Sequence, residues 1–149
     1  MSSGTIVAVV LCAIGGLAGA IQAAVMGELG ERVGVAPALA FAVAVSLVCA
    51  LGLLFVWEQS FSGIRTAAQE PWWLWVGGVM SVFIVLGITV ATPRIGVAAT
   101  IGIVIAGNLV AAALIDQYGL FGQDQVAITW PRVLGLLLLA AGAALLLTR

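Results

Sequence analysis

Residues 95–121 read IGVAATIGIVIAGNLVAAALIDQYGLF, and this stretch decides the fold. It is an apolar run of helix length with one amide, Asn108, near its middle and one carboxylate, Asp116, near its far end. A helix of about 20 apolar residues, rising about 1.5 Å per residue, crosses about 30 Å of hydrocarbon. Soluble folds have no need of such a run, whereas a membrane protein that handles a polar solute does. Cutting the rest of the chain at its charges leaves four more candidates, so five spans are expected, at about 5–27, 36–57, 72–92, 95–118 and 130–148.

Composition agrees. The chain has 149 residues, of which 64% are hydrophobic and 7% charged, against roughly 25% charged in soluble domains. It is read as an all-α, polytopic integral membrane protein. It has no Lys and no His; the cations are Arg32, Arg65, Arg94, Arg132 and Arg149. With acids nearly balancing them and no basic run, nucleic acid is not an expected partner. Cys12 and Cys49 lie inside apolar runs and read as small buried hydrophobes. Two cysteines without His cannot make a usual four-ligand zinc site, so neither metal nor cofactor is expected. The first run has no positive n-region and is expected to be kept as the first span.

The connections are short. Residues 28–35 read as a tight polar turn, and residues 58–71 as a longer amphipathic surface segment. Pro93-Arg94 reads as a minimal turn, since proline cannot continue a helix ladder. Residues 119–129, with two Gly and Asp124, read as a loop. The fifth span is the shortest; residues 133–147 alone cover only about 23 Å, which puts Trp130 and Pro131 at one interface and Arg149 at the other. No internal repeat and no soluble domain is read, and residues 1–149 are taken as one transmembrane domain.

Five spans put the termini on opposite sides. The N-terminal side then holds Arg65, Arg132 and the terminal amine, and the other side holds Arg32, Arg94 and Arg149. Orientation follows Lys and Arg bias, and here the two sides tie. Two readings stay open: insertion both ways up, or one orientation with the C-terminus inside. Trp57, Trp72, Trp73, Trp75 and Trp130 fall on the N-terminal side. Trp favours membrane interfaces, so one chain supplies one aromatic belt and two antiparallel chains would supply both.

Several polar groups fall within the spans. Gly15, Gly19, Gln22 and Met26 share one helix face, so Gln22 either bonds a neighbouring helix along a small-residue seam or faces solute. Ser46 lies on a small-residue stripe with Ala42 and Cys49, and its hydroxyl either bonds its own backbone or lines a cavity. Ser81, with Gly77, Gly78 and, further along, Thr92, reads first as close packing and then as a cavity wall. Asn108 is the strongest candidate, because an unpaired amide near the midplane is costly and must face protein, a partner chain or water. Asp116, about 80° further round the same helix, and Glu28, at a membrane edge, are candidate gating or coupling groups. Gly135 and Gly142 lie seven apart on a fifth span without polar groups between Arg132 and Thr148, which marks it as an oligomerisation helix. No Ser-His-Asp set, metal cluster or phosphate loop is present, so an enzyme is not expected.

The stretches GLAGAIQAAVMGELGERVG, PWWLWVGGVMSVFIVLGITVATPRIGVAAT and AGNLVAAALIDQYGLFG resemble the YdcZ family of small bacterial inner-membrane proteins, within the drug/metabolite transporter superfamily. The resemblance covers nearly the whole chain. It implies a half-size transporter of five helices, whose larger relatives join two halves of opposite orientation into ten. Two positions depart from the family pattern: Met26 stands where an Asn often follows the first-helix Gln, and Asn108 stands where a Gln is common. The resulting expectation is a secondary transporter of a small solute in the inner membrane, working by alternating access as an antiparallel dimer, either with itself or with a homologous half-size chain. Gln22, Ser46, Ser81 and Asn108 would line its cavity. The rivals are a non-transporting accessory subunit, and a small channel or lipid-flipping protein.

Overall fold

A computed structural model describes residues 3–60 and 62–147; Thr148 and Arg149, the expected far end of the fifth span, lie outside the described residues. Helix α1 runs Ser3–Val33, α2 Val35–Glu58, α3 Ser62–Gln69, α4 Val76–Ile95, α5 Val97–Tyr118 and α6 Trp130–Leu145. Turns of 3₁₀ helix lie at Trp72–Trp75 and Leu120–Gly122, and no strand occurs among the described residues. The fold is all-helical. Among the described residues, four segments are long and apolar enough to cross a membrane: Gly4–Val33, Val35–Glu58, Trp72–Ile95 and Val97–Tyr118. Helix α6, at 16 residues, is shorter, about 24 Å. The amphipathic segment before Trp72 forms α3, whose described side chains are largely exposed.

Two expected turns are helix instead. Residues 28–33 continue α1, and Glu28 and Arg32 pair across one turn, with Arg32 Nε donating to Glu28 Oε1 at 2.7 Å. Charge at a membrane edge ends the apolar run without ending the helix. Pro93 and Arg94 likewise lie inside α4. Proline there forfeits the single ladder bond that its N–H would give Thr89 O, while Gly96 N still closes on Thr92 O.

The breaks fall one step later, at Gly34 and Gly96, and they are alike. Gly34 has φ 91°, ψ 156° and Gly96 has φ 84°, ψ 162°, a backbone region open almost only to glycine. Gly34 N donates to Gly30 O and Ala38 N to Gly34 O; Gly96 N donates to Thr92 O and Thr100 N to Gly96 O. The flanking residues match: Arg32-Val33-Gly34-Val35-Ala36 against Arg94-Ile95-Gly96-Val97-Ala98. Burial matches at the same offset only in part, since Ala23, Thr92 and Ala99 are buried while Val85, Gly30 and Pro37 at the matching positions are not. Met26, Gly27 and Ala38 are buried in the first stretch, and Ile88, Thr89 and Thr100 in the second. The two helix breaks are therefore alike in flanking sequence and backbone angles.

The chain divides into two compact units. In the unit Val25–Val90, α1 meets α4 at Gly30: a Cβ there would lie 2.7 Å from Thr89 Cγ2. Thr89 is 1% exposed and its hydroxyl donates to Val85 O at 2.7 Å. In the other unit, which takes the residues up to Ala24 and those from Ala91, α5 and α6 pack antiparallel. Gly102 is their point of close approach, 3.1 Å from Leu146 Cδ1 and 3.6 Å from Ala143 Cβ as measured from an added Cβ. The expected seam at Gly15 and Gly19 is not a contact, since an added Cβ at either meets nothing within 4 Å. Cys12 and Cys49 are exposed, not buried. On a helix that faces lipid, an apolar residue needs no protein cover.

Candidate functional site

The ends of α5 and α6 are joined by a latched connection. Helix α5 stops at Gly119, which is left-handed at φ 59°, ψ 37°. Phe121 and Gly122 also take positive φ, 59° and 76°, so the chain reverses within four residues. Phe121 adopts this at a cost of about 1–2 kcal/mol, and the bonds that follow hold the loop against it. Val126 N donates to Asp116 O at 2.8 Å. Ile128 N donates to Gln117 Oε1 at 2.6 Å, and Gln125 Nε2 donates to Gln117 O at 2.8 Å. Arg132 Nη1 meets Asp116 Oδ2 at 3.3 Å, with both side chains roughly half exposed. A pair this accessible contributes under about 1 kcal/mol; it orients the groups more than it stabilises the fold.

Below this latch the two helices part. A cleft of about 310 Å³ is lined by Leu109, Ala112, Ala113, Asp116, Arg132, Gly135, Leu136 and Leu139. A second, almost wholly apolar hollow of about 540 Å³ shares Gly135 and Leu139 with it and runs on past Gly142 to Gly102 and Leu146. The two form one groove along the α5–α6 seam, with the ion pair at one end and the Gly102 contact near the other. Gly135 and Gly142 keep it open, since an added Cβ at either meets nothing within 4 Å. Chemically, the groove offers an apolar trough with an ionic head, a shape that accepts an amphiphile.

Of the sequence-derived site residues, Asp116, Gly135 and Gly142 line this groove. Asn108 does not. The groove face of α5 is centred on residues 109, 112, 113 and 116, about 90° round the helix from Asn108. Asn108, Gln22 and Ser46 are exposed, and their side chains make no hydrogen bond among the described residues. Ser81 is exposed and donates to its own helix, to Gly78 O at 2.7 Å. Glu28 is exposed and held by Arg32.

Sequence reasoning missed three features. Arg132 was only counted among the charges of the N-terminal side and was not set across from Asp116. Gln117 was passed over, although the amides Gln117, Gln123 and Gln125 so close together are a signal for a hydrogen-bonded loop. Thr92 is 8% exposed, and its Oγ1 is buried with no hydrogen-bond partner among the described residues. Residues 91–100 gave no sign of this, because threonine in a helix usually bonds a carbonyl of the preceding turn, as Thr89 and Thr100 do.

Among known proteins, the family described as "Putative inner membrane exporter, YdcZ" matches residues 7–145. No curated protein and no solved structure matches the chain. The match runs from the second turn of α1 to the last residue of α6. It agrees with the four long apolar helices in making this a multi-pass protein of the inner membrane, of a family described as an exporter family. A match over nearly the whole length of a membrane chain leaves one assignment: the chain belongs to the YdcZ family of inner-membrane proteins.

Proposed function

We propose that the chain is one half of a secondary transporter that exports a small solute by alternating access, as an antiparallel pair. In this reading α6 is a fifth, short span, and all five spans work as one membrane domain. The termini then lie on opposite sides, and a second chain inserted the other way up completes a ten-helix, inverted-repeat assembly. With the terminal amine counted, positive charge splits three against three between the two sides, which leaves either orientation open. All five Trp are exposed, as a belt at a membrane interface requires.

One observation carries the reading. Gln22, Ser46 and Asn108 are exposed, unbonded polar side chains on helices long enough to span a bilayer. Hydrocarbon cannot satisfy an amide. A water-filled cavity shared with another chain can. These residues, with Ser81, are its proposed lining, and Asn108, near the middle of α5, is the central group. Asp116 and Glu28 are proposed gating or coupling groups, each already held by an arginine that solute or proton could displace. The amphiphile-shaped groove favours an amphipathic solute.

Orientation and transport are tested separately. Gln59→Cys in a Cys12→Ala, Cys49→Ala background is labelled with an impermeant maleimide in intact cells. Labelling of a substantial share of chains from outside, with the rest labelled only after lysis, supports the antiparallel pair. Labelling wholly from one side overturns a homodimer. Asn108→Ala then separates function from assembly: loss of efflux of amphipathic dyes with the dimer intact supports a cavity residue. Loss of the dimer makes Asn108 a joint between chains, as in an accessory subunit.

A further inference from the structure

The charges at the mouth of the α5–α6 groove stand at the wrong ends of their helices. Asp116 lies in the last turn of α5, the partially negative end, and Arg132 in the first turn of α6, the partially positive end. Each position is the unfavourable one for its charge. Mutual attraction does not explain the choice, since a pair roughly half exposed on both sides is worth little. The placement does build a field. Charge and helix end add on each side, so the mouth is negative along α5 and positive along α6. The pair also leaves both partners partly open. It is a single contact, from Arg132 Nη1 to Asp116 Oδ2 at 3.3 Å, whereas a guanidinium has five N–H donors and a carboxylate two oxygens. Among the described residues, Asp116 Oδ1 and the other N–H groups of the Arg132 side chain make no hydrogen bond.

Tyr118 ends α5 and Trp130 begins α6, and both are exposed. Aromatic residues of this kind favour the headgroup level of a membrane, which sets the open charges at that level. Below the mouth the groove runs from Asp116 to Gly102 along α5 and from Arg132 to Leu146 along α6, about 21 Å on either helix. One leaflet supplies about 15 Å of hydrocarbon, half of the whole, so the trough is longer than one leaflet is deep. Inside a bilayer it cannot stay empty or fill with water. A void forfeits the contacts of its walls, and buried water needs several polar partners, which a lining such as Leu138, Leu139 and Gly142 does not offer.

We propose that this groove is a binding site for a zwitterionic phospholipid with a primary ammonium in its headgroup. The phosphate takes the open N–H groups of Arg132, and the ammonium donates to the open oxygen of Asp116. One acyl chain lies along the seam over Gly135 and Gly142, where an added Cβ would meet nothing within 4 Å. An anionic headgroup would set negative charge against the carboxylate, and a quaternary ammonium has no N–H to donate to it. The site lies about 90° round α5 from Asn108, so a lipid held here is separate from solute in the proposed cavity. The inference rests on the membrane and not on transport.

Native mass spectrometry of the full-length chain tests it. The protein, purified in mild detergent, is titrated in turn with dioleoyl phosphatidylethanolamine, phosphatidylcholine and phosphatidylglycerol. The expected result is one phosphatidylethanolamine per chain, held about tenfold more tightly than either of the others, the size of one charge-assisted hydrogen bond. Asp116→Asn should erase most of that preference. Arg132→Gln should weaken all three lipids, since each carries a phosphate. Gly135→Leu with Gly142→Leu fills the trough and should release the lipid while both charges remain; if that variant fails to fold, the two charge variants decide. Equal retention of the three lipids overturns the proposal, as does a preference that survives Asp116→Asn or the filled trough. A dimer that the filled trough dissolves, with lipid retention unchanged, gives the groove to a second copy and overturns it as well. Amphipathic dyes that displace the lipid one for one give the groove to solute, with the same consequence. Asp116 is shared with the proposed gate, so lipid retention and dye efflux are read separately: a chain that keeps the lipid and moves no dye refutes the transport reading and leaves the site standing.

Discussion

Gly30→Ala adds one methyl at the point where α1 meets α4. Its Cβ would stand 2.7 Å from Thr89 Cγ2 and 3.6 Å from Thr89 O. Carbon pairs rest at about 3.5–4.0 Å, so the overlap is about 1 Å. The neighbour cannot yield: Thr89 is 1% exposed, and its hydroxyl bond to Val85 O fixes the rotamer that points Cγ2 at α1. Overpacking of this kind costs about 1–3 kcal/mol, and Ala regains at most about 1 kcal/mol over Gly within a helix. With a pinned neighbour, the upper part of the range applies, for a net loss of about 2 kcal/mol. In a chain of this size that lowers the melting temperature by roughly 4–8 °C, read by tryptophan fluorescence in mild detergent. Gly16→Ala, where nothing lies within 4 Å, is the control and is expected to match or exceed the parent. Thr89→Ser in the Gly30→Ala background removes Cγ2, keeps the hydroxyl and should restore most of the loss. If Gly30→Ala melts at or above the parent, the packing of α1 on α4 is wrong; if Thr89→Ser fails to rescue it, Thr89 is not the obstacle.

Thr92→Val keeps the shape of the side chain and removes a buried hydroxyl that has no protein partner; a melting gain worth about 1 kcal/mol is expected, and a loss would show that the hydroxyl holds something. Gln117→Ala frees the Ile128 N–H from its 2.6 Å acceptor; it should cost about 1–2 kcal/mol and speed protease cleavage within residues 119–129. Asp116→Asn and Arg132→Gln, taken singly and together, should show a coupling below about 1 kcal/mol, because the pair is roughly half exposed.

The existence of the long helices was legible from the length of the apolar runs, and the membrane from the scarcity of charge. The helix ends were misread wherever charge or proline was taken as a stop. Glu28, Arg32, Pro93 and Arg94 are all helical, and the true breaks depend on backbone angles that only Gly34 and Gly96 adopt easily. The likeness of the two joints was present as Arg-Val-Gly-Val-Ala and Arg-Ile-Gly-Val-Ala, but it became visible only once the backbone angles singled out the two glycines. Of the site, the polar residues could be picked out, since Asn108 and Gln22 stand alone in apolar surroundings. Their grouping could not. Whether Asp116 reaches Arg132 depends on the three positive-φ residues between them, and the angle between Asn108 and the α5–α6 groove is a fact of packing that no single helix encodes.

Helix lengths in this chain are mismatched to one another. Helix α1 has 31 residues and α6 has 16, about 46 Å against about 24 Å, so no single bilayer thickness suits both. The first can lean or project its charged end. In the proposed five-span reading the second falls about 6 Å short of the hydrocarbon, and the lipid around it would pinch inward, at fractions of a kcal/mol per Å. The pinch falls beside the α5–α6 groove. Acyl-chain length thereby becomes a variable of the protein's own stability, and short-chain lipids should favour the folded chain.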